Sequence, residues 1–344
     1  MAKRRFRGRA AMLRWFDLGT EVLHTHRATL NRLNVFPVPD SDTGDNMLAT
    51  AQATRTAVEA ADSEDFGDLL GLAGAEAMVQ ARGNSGTLLA VLLTGLSGPL
   101  RGADRLTLPS FAAALDAASV RAWSALSGPV AGTMLSVIDA VRDFVAQRAA
   151  EVQEPSSYLA LEAALPEVVA QARRAVEQTE FQLPALRTAA VVDSGGAGLL
   201  LVFDALRAAV RVEEVDETLL DGLHGVAARD GADPAAGAQA GSEAGSVESS
   251  AEPVGDADVS GMVELMATVR LDPLGAAGIR HTLDELGDSV IVTPVEAEPD
   301  GAGTYRWRIH VHTDAPDTAR AALAAAGQVE DSGVSPLHTG GVRP

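Results

Sequence analysis

Asn34-Val-Phe-Pro-Val-Pro-Asp40-Ser-Asp42-Thr-Gly-Asp45-Asn-Met47 is the stretch on which the fold and the chemistry of this sequence turn. Pro37 and Pro39 hold the chain extended and forbid a helix through them. The carboxylates of Asp40, Asp42 and Asp45 then crowd together just before an apolar-periodic segment starts. Left alone, these charges repel one another. A divalent ion with oxygen ligands removes that repulsion, and Mg²⁺ typically takes one or two carboxylates together with phosphate oxygens. Helix capping explains one or two acids at such a position, but not an Asp-x-Asp pinned behind two prolines. The stretch predicts a metal-binding loop at a helix start.

Upstream, Met12, Phe16, Gly19, Leu23, Leu30 and Leu33 mark one helical stripe that ends before Pro37. Downstream, helical patterns run over about 44–60, 66–81, 85–96, 109–125, 133–150, 157–178 and 196–211, with Pro166 able to split or kink the seventh helix of the series. The short connections favour antiparallel neighbours. Gly83-Asn84-Ser85-Gly86 precedes the fourth helix, Gly128-Pro-Val-Ala-Gly132-Thr133 the sixth, and Asp193-Ser194-Gly195-Gly196 the eighth. With the Asp cluster on the second, small and polar starts fall on alternate helices. An up-and-down array brings those starts to one mouth. There they offer free N–H groups and the positive ends of helix dipoles, a combination suited to phosphate.

Composition narrows the chemistry further. The 344 residues carry 27 basic against 47 acidic side chains, a formal charge of -20, which argues against nucleic acid or an anionic membrane as partner. Cysteine is absent, and Lys3 is the only lysine. A P-loop or a protein-kinase lysine is therefore excluded, as are thiolate nucleophiles. Ser85 does not sit in a Gly-x-Ser-x-Gly elbow. No apolar run approaches the ~18 residues of a span, and residues 1–10 form a basic tail without a following apolar core, so cytoplasmic localisation is expected. Residues 224–258, rich in Ala, Gly and Ser and acidic, read as a flexible linker. A small α/β module follows over 259–330. Its strands are expected at Met262–Leu271 and Val290–Val295, its helices at Leu274–Leu286 and near Ala315–Ala326. Tyr305, Trp307, Ile309 and Val311 alternate with Arg306, Arg308, His310 and His312, the pattern of a half-exposed strand. Residues 331–344 read as a tail.

Asn34–Met47 resembles the Asn-Val-Phe-Pro-Val-Pro-Asp signature of bacterial fatty-acid kinase, whose ATP-binding domain is related to the nucleotide-binding subunit of dihydroxyacetone kinase. Ala81–Gly86, Pro129–Thr133 and Val191–Gly196 resemble its remaining motifs, in order. The resemblance covers about 11–215, and 260–325 more loosely as the family's middle domain. It implies an all-α, eight-helix antiparallel barrel over 11–223 followed by the small α/β domain, with ATP and two Mg²⁺ ions at one end. Carried over, Asp40 and Asp42 are the catalytic metal carboxylates and Asn34 an additional ligand. Thr43, Gly44, Asn46, Met47, Asn84, Ser85, Gly86, Gly132, Thr133, Asp193, Gly195 and Gly196 line the nucleotide. The implied reaction moves the γ-phosphoryl of ATP to a fatty-acid carboxylate presented by a separate carrier protein. Dihydroxyacetone held by a partner subunit is the alternative acceptor, and a nucleotide-binding scaffold without turnover is the alternative of another class. A homodimer is a further expectation. Three departures stand out: Ser41 replaces a Gly, Asp45 replaces a Thr and adds charge near the metals, and the family's C-terminal domain has no counterpart in the sequence. His310 and His312 match a metal-binding pair of the middle domain, but Val263 stands where a Cys ligand is expected. Zinc is therefore not assigned there, and a plain polar strand face is preferred.

Overall fold

A computed structural model describes residues 6–226, 261–296 and 298–337. The linker assigned to 224–258 lies almost wholly outside the described residues, as does the outer half of the basic tail. The tail assignment fails at its inner end. Phe6 is buried and meets Phe66 edge-on at 5.5 Å, and helix α1 (Gly8–Leu33) begins at once.

Eight long helices build the first body: α1, α2 (Thr43–Ala60), α3 (Phe66–Gln80), α4 (Gly83–Leu100), α5 (Leu108–Ala125), α6 (Met134–Glu151), α7 (Tyr158–Gln182) and α9 (Ser194–Arg211). Each packs on the next, and α9 closes the ring on α1. The stripe of Met12, Phe16, Gly19, Leu23, Leu30 and Leu33 is the buried face of α1. α4 and α9 are buried around most of their circumference, which accounts for their lack of exposed polar positions. Pro166 neither splits nor ends α7, which runs unbroken over 25 residues. A six-residue helix, α8 (Pro184–Ala189), stands between α7 and α9 where none was expected.

The second body is a four-stranded antiparallel sheet of order β2-β3-β1-β4, from β1 (Val263–Leu271), β2 (Gly287–Pro294), β3 (Tyr305–Thr313) and β4 (Gln328–Pro336). α10 (Pro273–Leu286) and α11 (Pro316–Ala326) cover one face. Their Ile279, Leu283 and Leu323 pack on Leu265, Val269, Ile309 and Val311. β4 corrects the sequence reading: residues 331–336 are not tail but strand, paired with β1 from Val263–Pro336 to Arg270–Gln328. Its side chains are almost all exposed, so pairing rests on backbone hydrogen bonds that leave no hydrophobic pattern.

The other face of the sheet lies against the mouth of the barrel. Ile291 and Val295 belong to the barrel's own core cluster. Ser127 N–H donates to the Val290 carbonyl at 3.0 Å, beside a bridge between Leu126 and Ile291. Arg121 donates to the Pro294 carbonyl, and Arg308 reaches the Ala81 carbonyl at 3.4 Å. The expectation of a half-exposed β3 is thereby overturned. Arg308, His310 and His312 are buried, because the barrel covers the polar face.

Candidate active site at the barrel mouth

A cavity of about 900 Å³ opens where the barrel mouth meets the sheet. The starts of α2, α4, α6 and α9 all contribute to its wall, through Asp42 and Thr43, Gly83–Ser85, Thr133–Leu135, and Asp193 with Gly195. Four helix N-termini thus bring the positive ends of their dipoles to one volume, with some first-turn N–H groups already given to Asn31, Glu264 and Asp193. Val35, Phe36 and Val38 of the proline loop, with Leu88, Leu126 and Val130, give it an apolar flank.

Two carboxylates of the proline loop meet in this cavity. Asn34, the C-cap of α1, donates its side-chain amide to Asp40. Burial, reinforced by the Asp42 charge beside it, pushes the Asp40 carboxyl up to about 7, against the downward pull of the Asn34 amide and of His312. Burial raises Asp42 as well, opposed by hydrogen bonding from Asn46 and reinforced by the charge of Glu264. Among the described residues no basic side chain pairs with either acid at hydrogen-bond distance. Ser41 between them adopts φ 57°, the left-handed region, which a glycine takes without steric cost. The third carboxylate does not join. Asp45 is drawn to the outer surface of α1, where Asn31 donates to it at 2.6 Å and Arg27 lies 3.3 Å away. The expected extra charge near the metals is therefore absent.

At the far wall, Asp193 caps α9. It accepts from the Gly196 N–H at 2.7 Å and also from the Met134 N–H at the start of α6. Full burial nonetheless pushes its carboxyl up to about 6. The Asn84 side-chain oxygen is buried with no hydrogen-bond partner. A buried polar atom without a partner at a cavity wall is an invitation to a ligand.

The remaining predicted positions are neighbours of the cavity rather than lining. Gly44 lets α2 approach α1: an added Cβ would sit 2.3 Å from the Arg27 carbonyl, and its N–H is already given to Asn31 at 2.7 Å. Met47 is a core residue against Gly198, and Gly86 is a contact with Thr50 between α4 and α2. Gly132, at φ 85°, packs on Leu183, while Gly196 contacts Val137 and serves the Asp193 cap. Asn46 is buried beneath the cavity against Gly83, with its side-chain amide beside the Asp42 carboxyl.

Sequence reasoning missed the sheet's share of the wall: Glu264, Asp288, Ser289, Val290 and His312. Glu264 accepts from the Gly83 N–H at 2.7 Å and from Ser335 at 3.1 Å, and His310 Nε2 lies 3.1 Å away. Burial alone would raise the Glu264 carboxyl, but those partners hold it well below the usual carboxylate range. Burial also keeps the His310 ring below its ordinary value, against the upward pull of Glu264. His312 Nδ1 sits 3.5 Å from Asp288, so the two histidines face different carboxylates. Among the described residues no cluster of three or more His, Asp or Glu side chains is arranged to hold an ion. An oxygen site on Asp40, Asp42 and Asn34 would need ligand or water oxygens to complete it, as Mg²⁺ sites commonly do. Among the described residues no helix is long and apolar enough to cross a membrane.

Both bodies resemble known domains. Residues 37–208 match the DAK2 domain, and residues 262–340 match the FakA-like middle domain of fatty acid kinase. Protein YloV of Bacillus subtilis is 30% identical over 303 residues, 87% of this chain and 50% of that protein. An uncharacterized protein of Staphylococcus saprophyticus is 34% identical over 197 residues, 57% of this chain and 35% of that one. The chain thus spans half or less of the length of these relatives. The dihydroxyacetone kinase of C. freundii, solved in complex with AMP-PNP and Mg²⁺, aligns over 60% of this chain and 35% of its own at 21% identity and a TM-score of 0.44. With the helical match spanning half of its residues and the sheet matching the second domain, the chain belongs to the DAK2-domain family and joins that domain to a FakA-like middle domain.

Proposed function

We propose that this chain is an ATP- and Mg²⁺-dependent phosphotransferase that passes the γ-phosphoryl group to a fatty-acid carboxylate presented by a separate carrier protein. The observation that carries the nucleotide half is the meeting of Asp40 and Asp42, both pushed up by burial, at a cavity ringed by four helix starts. The acceptor half rests on the FakA-like middle domain, which forms part of the same wall.

The donor set fits the ion: Asp40 and Asp42 offer neighbouring carboxyl oxygens whose ionised forms burial disfavours until a cation joins them, and Asn34 adds an amide held against Asp40. Mg²⁺ bound there would neutralise the charge of phosphoryl oxygens and orient them. The chain supplies the rest. Asn84 and Ser85 present an unpaired amide oxygen and a hydroxyl at the start of α4. First-turn N–H groups of α4 and α6 beyond those taken by Glu264 and Asp193 would offer donors to phosphate oxygens, in place of a lysine, of which the sequence has only Lys3. Val35, Phe36, Val38 and Val130 suit a nucleobase or an alkyl group on the apolar flank. No side chain needs to form a covalent intermediate. Rate acceleration comes from holding donor and acceptor in line in a site that excludes water.

Thermal unfolding of wild type and Asp42→Asn, with ATP and with or without Mg²⁺, tests the reading. At a ligand concentration of ~100 Kd, binding should stabilise wild type by about 2.7 kcal/mol and raise its midpoint. The rise is expected only in wild type and only with Mg²⁺. An equal rise in Asp42→Asn would remove the carboxylate pair from the site.

A further inference from the structure

Two of the helix starts that frame the cavity are anchored by the sheet. The α5–α6 connection is held at its base by β2, through Leu126 and Ser127. The α3–α4 connection is held by Arg308 at the Ala81 carbonyl and by Glu264 at the Gly83 N–H. The second anchor is the tighter. Glu264 Oε1 takes the Gly83 N–H at 2.7 Å, while Oε2 takes the Ser335 hydroxyl of the edge strand at 3.1 Å. Glu264 as a whole is 9% exposed.

Gly83 leaves no slack on its other side. It sits at φ 58°, and a Cβ there would lie 2.2 Å from the Asn46 side-chain nitrogen. Asn46 in turn lies within reach of the Asp42 carboxylate. A contiguous path therefore runs from Glu264 on β1, through the backbone of Gly83 and the amide of Asn46, to Asp42. The residues that follow Gly83 are Asn84 and Ser85, both on the cavity wall.

We propose that Glu264 is a positioning residue for the nucleotide site: by the reach of its side chain it fixes the first turn of α4, so that the sheet domain sets the distance between Asn84–Ser85 and Asp40–Asp42. The inference rests on the nucleotide reading above for its effect on binding, but not for the anchoring itself. What matters is an acceptor oxygen at the right length. Its negative charge is not required, and it lies beside two acids that gain nothing from another.

Reach and charge separate cleanly by substitution. Glu264→Gln keeps the length and one acceptor oxygen but loses the charge. Glu264→Asp keeps the charge and withdraws the oxygen by one methylene. In the free 344-residue chain, hydrogen–deuterium exchange over residues 81–88 should match wild type in Glu264→Gln and quicken in Glu264→Asp, with the other helices unchanged. Mg²⁺·ATP affinity should weaken by roughly tenfold or more in Glu264→Asp, and stay near wild type in Glu264→Gln. Ser335→Ala, on the exposed edge, should shift exchange in the direction of Glu264→Asp but less. Equal behaviour of the Asp and Gln variants, or loss in Gln with retention in Asp, overturns the proposal. If wild type itself does not bind Mg²⁺·ATP, the functional reading fails and the exchange result alone decides the anchoring.

Discussion

Ser41 shows how much a single backbone angle can carry. Its φ of 57° separates Asp40 from Asp42 in a turn that a glycine takes without strain, where Ser adopts the left-handed region at a cost of about 1 kcal/mol. Ser41→Gly should raise the free energy of unfolding by up to about 1 kcal/mol, partly offset by the looser unfolded chain. Urea denaturation measures it, and a loss of stability would mean that the hydroxyl holds the loop. Asp193 is the residue where burial and capping pull against each other. Its carboxyl rises from the ordinary 3.8 to about 6, so between those values the folded protein holds a proton that the unfolded chain has lost. By linkage this contribution favours folding least above pH 6, and stability recovers as the pH falls towards 4. The shift corresponds to roughly 3 kcal/mol at its fullest extent. Asp193→Asn keeps an acceptor for the Gly196 N–H and abolishes the titration. The variant should therefore lose part of the decline in stability that wild type shows between about pH 4 and pH 6. Unfolding curves across that range check the prediction, and parallel pH profiles for the two proteins would contradict it.

At the level of elements, close helix approach explains residues that motif reading assigned to the ligand. Gly44 sits where α2 crosses α1, and an added methyl would press on the Arg27 carbonyl at 2.3 Å and on Asn31 at 2.8 Å. Gly44→Ala should cost about 1–3 kcal/mol by overpacking, read as a lower thermal midpoint of the ligand-free chain. An unchanged midpoint would show that α1 and α2 can part freely. Most of the helical ring was legible because its stripes recur at helical spacing and its alternate starts are small and polar. α8 escaped because six residues hold too little periodicity, although Pro184 opens it as an N-terminal proline commonly does. β4 escaped for a different reason. Gln328–Pro336 carries a glycine, a proline and polar side chains, and buries almost nothing. Asp45 was misplaced because proximity in sequence says nothing of direction: it falls in the first turn of α2, on the side that faces Arg27 and Asn31.

For the molecule as a whole, the decisive feature is the polar sheet face turned onto the barrel mouth. Alternation in β3 disclosed two faces, but nothing local disclosed that the polar one would be covered. The covering backbone at Gly83 lies 181 residues from Glu264 in sequence. That is why the sheet's part of the cavity, including His312 and Asp288, was not foreseen, while the Asp40–Asp42 pair was. The same seam fixes how the protein should unfold. Ile291 and Val295 are fully buried in the barrel's cluster rather than the sheet's, Leu126 and Ser127 extend the pairing from β2, and Arg121 and Arg308 add backbone anchors. Joined in this way, the two bodies should melt in one calorimetric transition rather than two. Ile291→Ala removes core volume at the seam itself and should cost about 2–5 kcal/mol of apparent stability. An Asp at the same position strands a charge in the cluster, and should separate the transition into a lower-melting sheet and a barrel that melts later. Scanning calorimetry of wild type, Ile291→Ala and Ile291→Asp distinguishes the cases. Two well-resolved transitions already in wild type would mean that barrel and sheet are thermodynamically independent, and that the sheet cannot set the geometry of the barrel mouth.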